Sequence, residues 1–385
     1  MVYFSAAFYY VRYSILGEIL KHTFSRFNPK LWFITIGFLI LYFLHQLLSI
    51  IFRFLDEILF PKYRKVEIKE PVFIIASPRS GTTYLHRLIA LDEERFTYTK
   101  FAHTFFMSTT FVMMYKAARW IDRRLLRRFI SRTFDKIDNI LWGGWDNIHA
   151  LGFNKAEEDE LVFAQSMLST GMLIPFPFFD TIHGNKILDE EPEDVRHNMM
   201  EFYESSLKRF IYGYDKNKTY LVKNVMSSGR FKSILQRFPD AKIIYIARNP
   251  YEAVPSMTSM FTVMYDLPPA PTGGPHPAIT AWSKLSIDLY KCSKEMRKIM
   301  PTDRFIQLKY DDLLQDPQGT VLKVYNQFNW TPSEKFLERL SKEERRNATY
   351  TSKHDYSLEQ YGLTKQHIYT ELGDIMDEFG FAKEH

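Results

Sequence analysis

One cysteine in 385 residues, Cys292, leaves the chain with no internal disulfide and no thiolate cluster for a metal, a pattern that fits a reducing compartment. No other residue pattern calls for a metal. Zinc-finger spacing and RNA-binding signatures are also missing. The net charge of +5 is spread along the sequence, so nucleic acid is not an expected partner. Repeats and low-complexity runs are absent. Charged residues make up 25% against 46% hydrophobic, which excludes a disordered chain and leaves ample material for a core. Aromatics, at 16%, are in excess and point to a greasy partner. Three Asn-X-Ser/Thr sequons, at Asn217, Asn329 and Asn347, matter only in a secretory setting.

What the chain does have is Val72 to Thr83, VFIIASPRSGTT, where a buried-type strand runs into a tight turn and then a helix. Strand, loop and helix in that order hold phosphate. N–H groups at a helix start lack intrahelical partners and carry the positive end of the dipole, and Gly81 lets the backbone come close. One more absence matters here. Ala76 to Thr83 has the spacing of a nucleotide triphosphatase loop, yet Thr82 stands where that loop needs lysine, and Arg79 supplies a cation from inside the loop instead.

The N-terminal 30 residues are aromatic and basic, with Arg12, Lys21, Arg26 and Lys30 set among Tyr, Phe and Leu, a composition suited to a membrane-surface helix. Leu31 to Phe54 is long and apolar but interrupted by His45, Gln46 and Arg53, so it reads either as one membrane span or as a helix lying in the interface. Its length and place exclude a signal peptide. Residues 1–65 are therefore expected to be a helical membrane-attachment segment and 66–385 the functional domain. Lys116 to Arg132 reads as a basic helix face, for solvent or for anionic lipid.

The strand, turn and helix rhythm then repeats. Tyr220 to Lys223 is a strand followed by Ser227, Ser228 and Gly229, and Lys242 to Ala247 is a second, closed by Arg248-Asn249-Pro250 and a helix carrying Ser256. A further strand runs from Arg304 to Lys309. This rhythm predicts a parallel sheet with crossover helices, with ligands beyond the carboxyl ends of the strands, where Ser80, Lys223 and Arg248 all fall. The Pro and Gly loop at 265–278 is long enough for a lid.

Pro78-Arg79-Ser80-Gly81-Thr82-Thr83 resembles the 5'-phosphosulfate loop of the sulfotransferases that use 3'-phosphoadenosine 5'-phosphosulfate (PAPS). Arg248, with Ser256 eight residues on, resembles their 3'-phosphate pair. The likeness extends through FPDAKIIYIARNP, LKYDDLLQDP and HDYSLEQYGLT, covering roughly residues 71–385, and is nearest to the bacterial-type branch. The resemblance implies an α/β, P-loop-like three-layer sandwich with a central parallel sheet, preceded by N-terminal hydrophobic membrane-associated helices. It implies a sulfuryl transfer from PAPS to a hydroxyl of an apolar acceptor such as a steroid, sterol or lipid, with PAP as the other product. A carbohydrate acceptor, or a non-catalytic PAP-binding membrane protein, is the alternative. Arg79 and Lys223 would neutralise charge at the donor, Ser80, Gly81, Thr82 and Thr83 would hold the 5'-phosphate, and Arg248 and Ser256 the 3'-phosphate. His103 is the expected base, with Glu157, Glu158 and Asp159 as alternatives. Lys100 lies nearby, where some relatives have Glu. The enzyme is expected at a membrane, its catalytic domain on the cytoplasmic side.

Overall fold

The computed structural model describes residues 5–25, 27–77, 79–142, 155–176, 187–265, 277–347 and 358–381. Its elements run α1 (Ala6–Phe24), α2 (Pro29–Leu59), β1 (Val72–Ala76), α3 (Thr82–Ile89), β2 (Phe96–Thr97), α4 (Phe101–Phe105), α5 (Thr109–Arg124), α6 (Phe129–Trp142), α7 (Glu160–Ala164) and α8 (Glu193–Tyr214). They continue with β3 (Thr219–Lys223), α9 (Phe231–Arg237), β4 (Lys242–Ala247), α10 (Pro250–Tyr265), α11 (Pro277–Ile299), β5 (Phe305–Lys309), α12 (Tyr310–Gln315), α13 (Pro317–Gln327), α14 (Glu334–Asn347) and α15 (Lys365–Phe379). The five strands form one sheet in the order β2-β3-β1-β4-β5, with helices between successive strands, as the α/β reading expects. By compactness the chain divides into Met1–Lys69 with Phe96–Val222, and Glu70–Arg95 with Lys223–His385. Residues 96–222 join the N-terminal helices in the first of these units. Most of the 265–278 loop lies outside the described residues.

In the second unit, β1 pairs in parallel with β4 from Val72↔Lys242 to Ala76↔Ile246, and β4 with β5 from Ile243↔Phe305 to Ala247↔Lys309. Every residue of β1 and β4 is buried, which is why both read as unbroken apolar runs. Tyr245 of β4 packs with Val254, Tyr290, Ile368 and Met376 in a core supplied by α10, α11 and α15. Just past the end of β3, the Asn224 N–H donates to the Ile74 carbonyl at 3.1 Å, so that crossover ends beside β1.

The first unit is mainly helical. Asn28 caps α2 by accepting from the Leu31 N–H, and Pro29 presets the first turn. The side chains of α2 that turn inward and are buried are Thr35, Tyr42, Ser49 and Asp56, at a spacing of seven. All four are polar or carry a polar tip. Asp56 accepts from the N–H groups of Thr109 (3.0 Å) and Thr110 (2.7 Å), capping α5, and pairs with the buried Arg209 of α8 at 3.2 Å. Arg209 also donates to Glu57 at 2.6 Å and lies 4.0 Å over the Tyr63 ring. The expected basic helix over 116–132 is two helices. Arg127 and Arg128 adopt left-handed φ of 47° and 64°, and the chain turns between α5 and α6.

Removing Asp56 would leave the buried Arg209 with Glu57 as its remaining carboxylate partner and take the acceptor from the Thr109 and Thr110 N–H groups at the start of α5. Asp56→Ala is expected to cost about 3 to 5 kcal/mol in a urea unfolding experiment, and a loss under 1 kcal/mol would show that the network contributes little.

Candidate active site

The strand ends of the second unit gather most of the expected residues. β1 stops at Ala76, and the turn that follows has two left-handed residues, Arg79 at φ +67° and Gly81 at φ +78°. The second position tolerates only glycine. A Cβ on Gly81 would lie 2.7 Å from the Tyr310 ring, and the backbone conformation disfavours any side chain. The Gly81 carbonyl accepts from the Tyr84 and Leu85 N–H groups, which starts α3 directly behind the turn. Thus the helix terminus expected to hold an anion is formed, with Ser80 and Thr82 buried beside it and Thr83 partly exposed.

Three cations converge there. The Arg79 Nε donates to the buried Ser256 Oγ on α10 at 3.2 Å. The Arg248 Nη1, from the turn after β4, donates to the Arg79 carbonyl at 3.1 Å, and its Nε and Nη2 donate to Glu252 at 3.0 and 2.8 Å. Lys223, fully buried at the end of β3, donates from Nζ to the Thr83 Oγ1 at 2.8 Å. Arg79, Ser80, Gly81, Thr82, Thr83, Lys223, Arg248 and Ser256 therefore stand together, drawn from three separate segments of the sequence. The Ser228 hydroxyl donates to the Ala76 carbonyl at 3.1 Å and ties the β3 crossover to the same strand end.

Several partners escaped the sequence reading. The Arg248 guanidinium lies 4.7 Å over the Tyr310 ring, the same ring that closes on Gly81, and the Tyr290 hydroxyl donates to the Arg248 carbonyl at 2.8 Å. Tyr310 opens the YDDLL stretch and was visible as a strand end. Tyr290 sits mid-helix in α11 and gave no signal. Glu252, at the i+4 position from Arg248, could have been found by helical charge spacing.

A profile described as the Sulfotransferase family matches residues 71–334. The chain belongs to that family. The sulfotransferase is 26% identical over 325 residues to the omega-hydroxy-beta-dihydromenaquinone-9 sulfotransferase Stf3 of Mycobacterium bovis and of Mycobacterium tuberculosis, covering 81% of this chain and 76% of theirs. Among solved structures it resembles sulfotransferase STF1 of Mycobacterium tuberculosis, with a TM-score of 0.68, 18% identity and coverage of 96% and 93% of the two chains. STF9 of Mycobacterium avium superposes with the same TM-score at 15% identity, covering 86% and 82%. These structures share the fold, and the family makes the protein a transferase.

His103 lies in the first unit, among aromatic side chains. The ring is fully buried against Tyr115, Phe210 and Tyr214, with centroids 4.9 to 5.4 Å away. Its Nδ1 accepts from the Lys100 N–H at 3.2 Å, so the neutral ring carries its hydrogen on Nε2. Burial, helped by Lys100, Lys116 and Arg119, pushes its pKa down to about 3. Such a ring caps α4 and resists protonation. The acidic alternatives are close to the same segment. Lys100 and Ala156 form an antiparallel bridge, the Glu157 N–H donates to the Thr99 carbonyl at 3.1 Å, and the Thr99 hydroxyl donates to the Glu157 carbonyl at 3.2 Å. Asp159 accepts from the Tyr203 hydroxyl.

Two outcomes are expected. Arg79→Gly and Arg79→Ala both remove the guanidinium, but only alanine keeps the left-handed strain, so the glycine variant should be the more stable by about 1 kcal/mol in thermal unfolding. Equal stabilities would mean that the turn stores no strain. For His103, the unfolded chain takes up a proton near pH 6.5 and the folded chain only near 3. Stability is therefore lost as pH falls through that window. His103→Phe should reduce the loss in unfolding free energy between pH 7 and pH 4 by roughly 3 kcal/mol, and an unchanged slope would refute the neutral assignment.

Proposed function

We propose that the chain transfers the sulfuryl group of PAPS to the hydroxyl of an apolar acceptor, giving a sulfate ester and PAP. The observation that carries this reading is the lysine-free loop with three cations at the strand ends: Arg79 bonded to Ser256, Lys223 on Thr83, and Arg248 on the Arg79 carbonyl. The donor supplies an activated sulfuryl group on a phosphate leaving group. Transfer of that kind is accelerated by positioning and charge neutralisation. Arg79 and Lys223 offset charge at the transferred group and the departing phosphate, as an oxyanion clamp does. Ser80, Gly81, Thr82 and Thr83 hold the 5'-phosphate through backbone and hydroxyl donors. Arg248 and Ser256 hold the 3'-phosphate, and Glu252 keeps the Arg248 guanidinium oriented between ligands.

The acceptor oxygen forms a bond to sulfur as the sulfur–oxygen bond to the 5'-phosphate breaks, and the hydroxyl proton must leave to a base. We place that base on Glu157. His103 holds its free ring hydrogen on Nε2, and Asp159 is engaged by Tyr203. Glu157 is buried, with its backbone fixed on both sides by Thr99 and one carboxylate oxygen accepting from the Glu158 N–H at 3.1 Å. The acceptor class follows from the aromatic and Met-rich segments and from the curated relatives, whose name describes action on a hydroxylated menaquinone. A long polyprenoid or sterol alcohol fits both. Such an acceptor goes with membrane association and a catalytic domain on the cytoplasmic side.

Incubation with sulfur-labelled PAPS and panels of polyprenyl, sterol, phenolic and glycan hydroxyls tests the reading. Label is expected in the polyprenyl or sterol products. Lys223→Ala and Glu157→Gln should each lower kcat at least 100-fold with PAP binding retained, whereas Arg248→Ala should chiefly raise the KM for PAPS. PAP binding with no labelled product from any panel would sink the catalytic reading, and full activity in Glu157→Gln would move the base elsewhere.

A further inference from the structure

The helix α2 is long and apolar enough to cross a bilayer, judged by length and composition alone. Its surroundings say otherwise. Between Phe33 and Leu59 every exposed side chain is apolar, with Phe33, Ile40, Leu41 and Ile50 each more than 60% exposed. The polar side chains all turn the other way, and all of them except the buried Ser49 are bonded. Thr35 meets Thr23 of α1, Tyr42 accepts from Arg12 and donates to the Gln165 carbonyl, and Gln46 donates to the same carbonyl. His45 donates to the Phe105 carbonyl, Arg53 donates to Ser206 of α8, and Asp56 caps α5. From Thr35 to Asp56 this attachment runs about 30 Å, the full thickness of a hydrocarbon core.

That arrangement inverts a water-facing amphipathic helix, which hides its apolar stripe. It also forbids a lone crossing. An α2 that spanned would carry the Arg53, Asp56 and Arg209 network and the charged α8 into hydrocarbon with it, where each ionised group is costly.

A second feature of the same unit carries the opposite charge to anionic lipid. Lys116 to Arg132 contains seven Lys and Arg and one acid, Asp122. Asp122 is buried and spent on structure: its carboxylate accepts from the N–H groups of Ile130 and Ser131 at 2.7 and 2.9 Å, and its carbonyl from that of Arg128 at 2.9 Å. These bonds hold the turn between α5 and α6 with Arg127 and Arg128 in left-handed conformation. The turn displays Leu125 and Phe129, each 69% exposed, among exposed Arg123, Arg124, Arg127 and Arg128. Apolar side chains interleaved with arginine on a fixed turn match the headgroup region of an anionic leaflet.

We infer that the first unit seats in one leaflet of an anionic bilayer, with α2 lying in the interface by its exposed apolar stripe and the α5–α6 turn binding lipid headgroups. The inference rests on the membrane association proposed above but is independent of the sulfuryl transfer. A bilayer rather than a second copy is the occupant because the stripe is continuous over the helix and the same unit carries a turn that sets exposed Leu125 and Phe129 among four exposed arginines.

Flotation of the purified full chain with sealed vesicles, either phosphatidylcholine alone or with phosphatidylserine, tests it. Binding to both is expected, at least tenfold tighter with phosphatidylserine and weakened by salt. Arg123, Arg124, Arg127 and Arg128 replaced together by Gln should abolish the preference, and Ile40→Gln with Leu44→Gln and Leu47→Gln should lower binding to both, each variant keeping its PAP-induced rise in Tm as proof of folding. A preference that survives the Arg replacements overturns the headgroup assignment. For topology, Ser25→Cys and Glu67→Cys, made singly in Cys292→Ser, flank α2, and both should react with a membrane-impermeant maleimide added outside the vesicles. Protection of one alone means that α2 spans, and overturns the in-plane seat while leaving membrane association standing. No flotation, together with a dimer in solution, overturns membrane binding altogether and assigns the stripe to a second copy. A soluble short-chain alcohol assayed in parallel reports sulfuryl transfer separately from either result.

Discussion

The turn after β1 constrains the chemistry of the second unit more than any other feature. Two residues at positive φ, Arg79 and Gly81, bend the chain so that a guanidinium points back toward α10 while α3 begins at once. The bend is held from outside. The Tyr310 ring fills the space a Cβ on Gly81 would need, and the same ring underlies Arg248, whose guanidinium in turn holds the Arg79 carbonyl. One aromatic side chain therefore couples the turn after β1 to the arginine of the neighbouring strand end. Arginine at a left-handed position costs energy that glycine would not, and the cost is tolerated where the cation is needed.

The cations themselves are each held by partners within the protein. Lys223 is buried yet bonded to Thr83, and Arg248 is shared between Glu252 and a carbonyl. Buried charge without such partners would be expensive, and a site proposed to take phosphate needs acceptors of its own. The Thr83 hydroxyl and the Glu252 carboxylate fill that role.

In the first unit the governing constraint is the inverted α2. From Thr35 onward its polar side chains other than Ser49 find partners inside the protein, which leaves an apolar exterior that water does not favour. Asp56 joins three elements through one carboxylate, so the helix, the start of α5 and Arg209 of α8 hold or fail together.

By itself the sequence determined the parallel sheet and the strand, turn and helix over residues 72–89. β1 and β4 are buried on both faces and must read as unbroken apolar runs, and a strand that ends in small residues before a helix has few other forms. The missing lysine at Thr82 and the eight-residue step from Arg248 to Ser256 were likewise legible, because they are local patterns. His103 was not, because a histidine among aromatics looks the same in sequence whether it is a base or a cap; its tautomer and depressed pKa come from the Lys100 N–H and from burial, which only folding supplies. The direction of α2 was hidden for a related reason. Hydropathy counts its apolar residues, but whether His45, Gln46 and Arg53 interrupt a span or dock a helix depends on Phe105, Gln165 and Ser206, which lie about 60 to 150 positions away along the chain and meet it only in the tertiary structure.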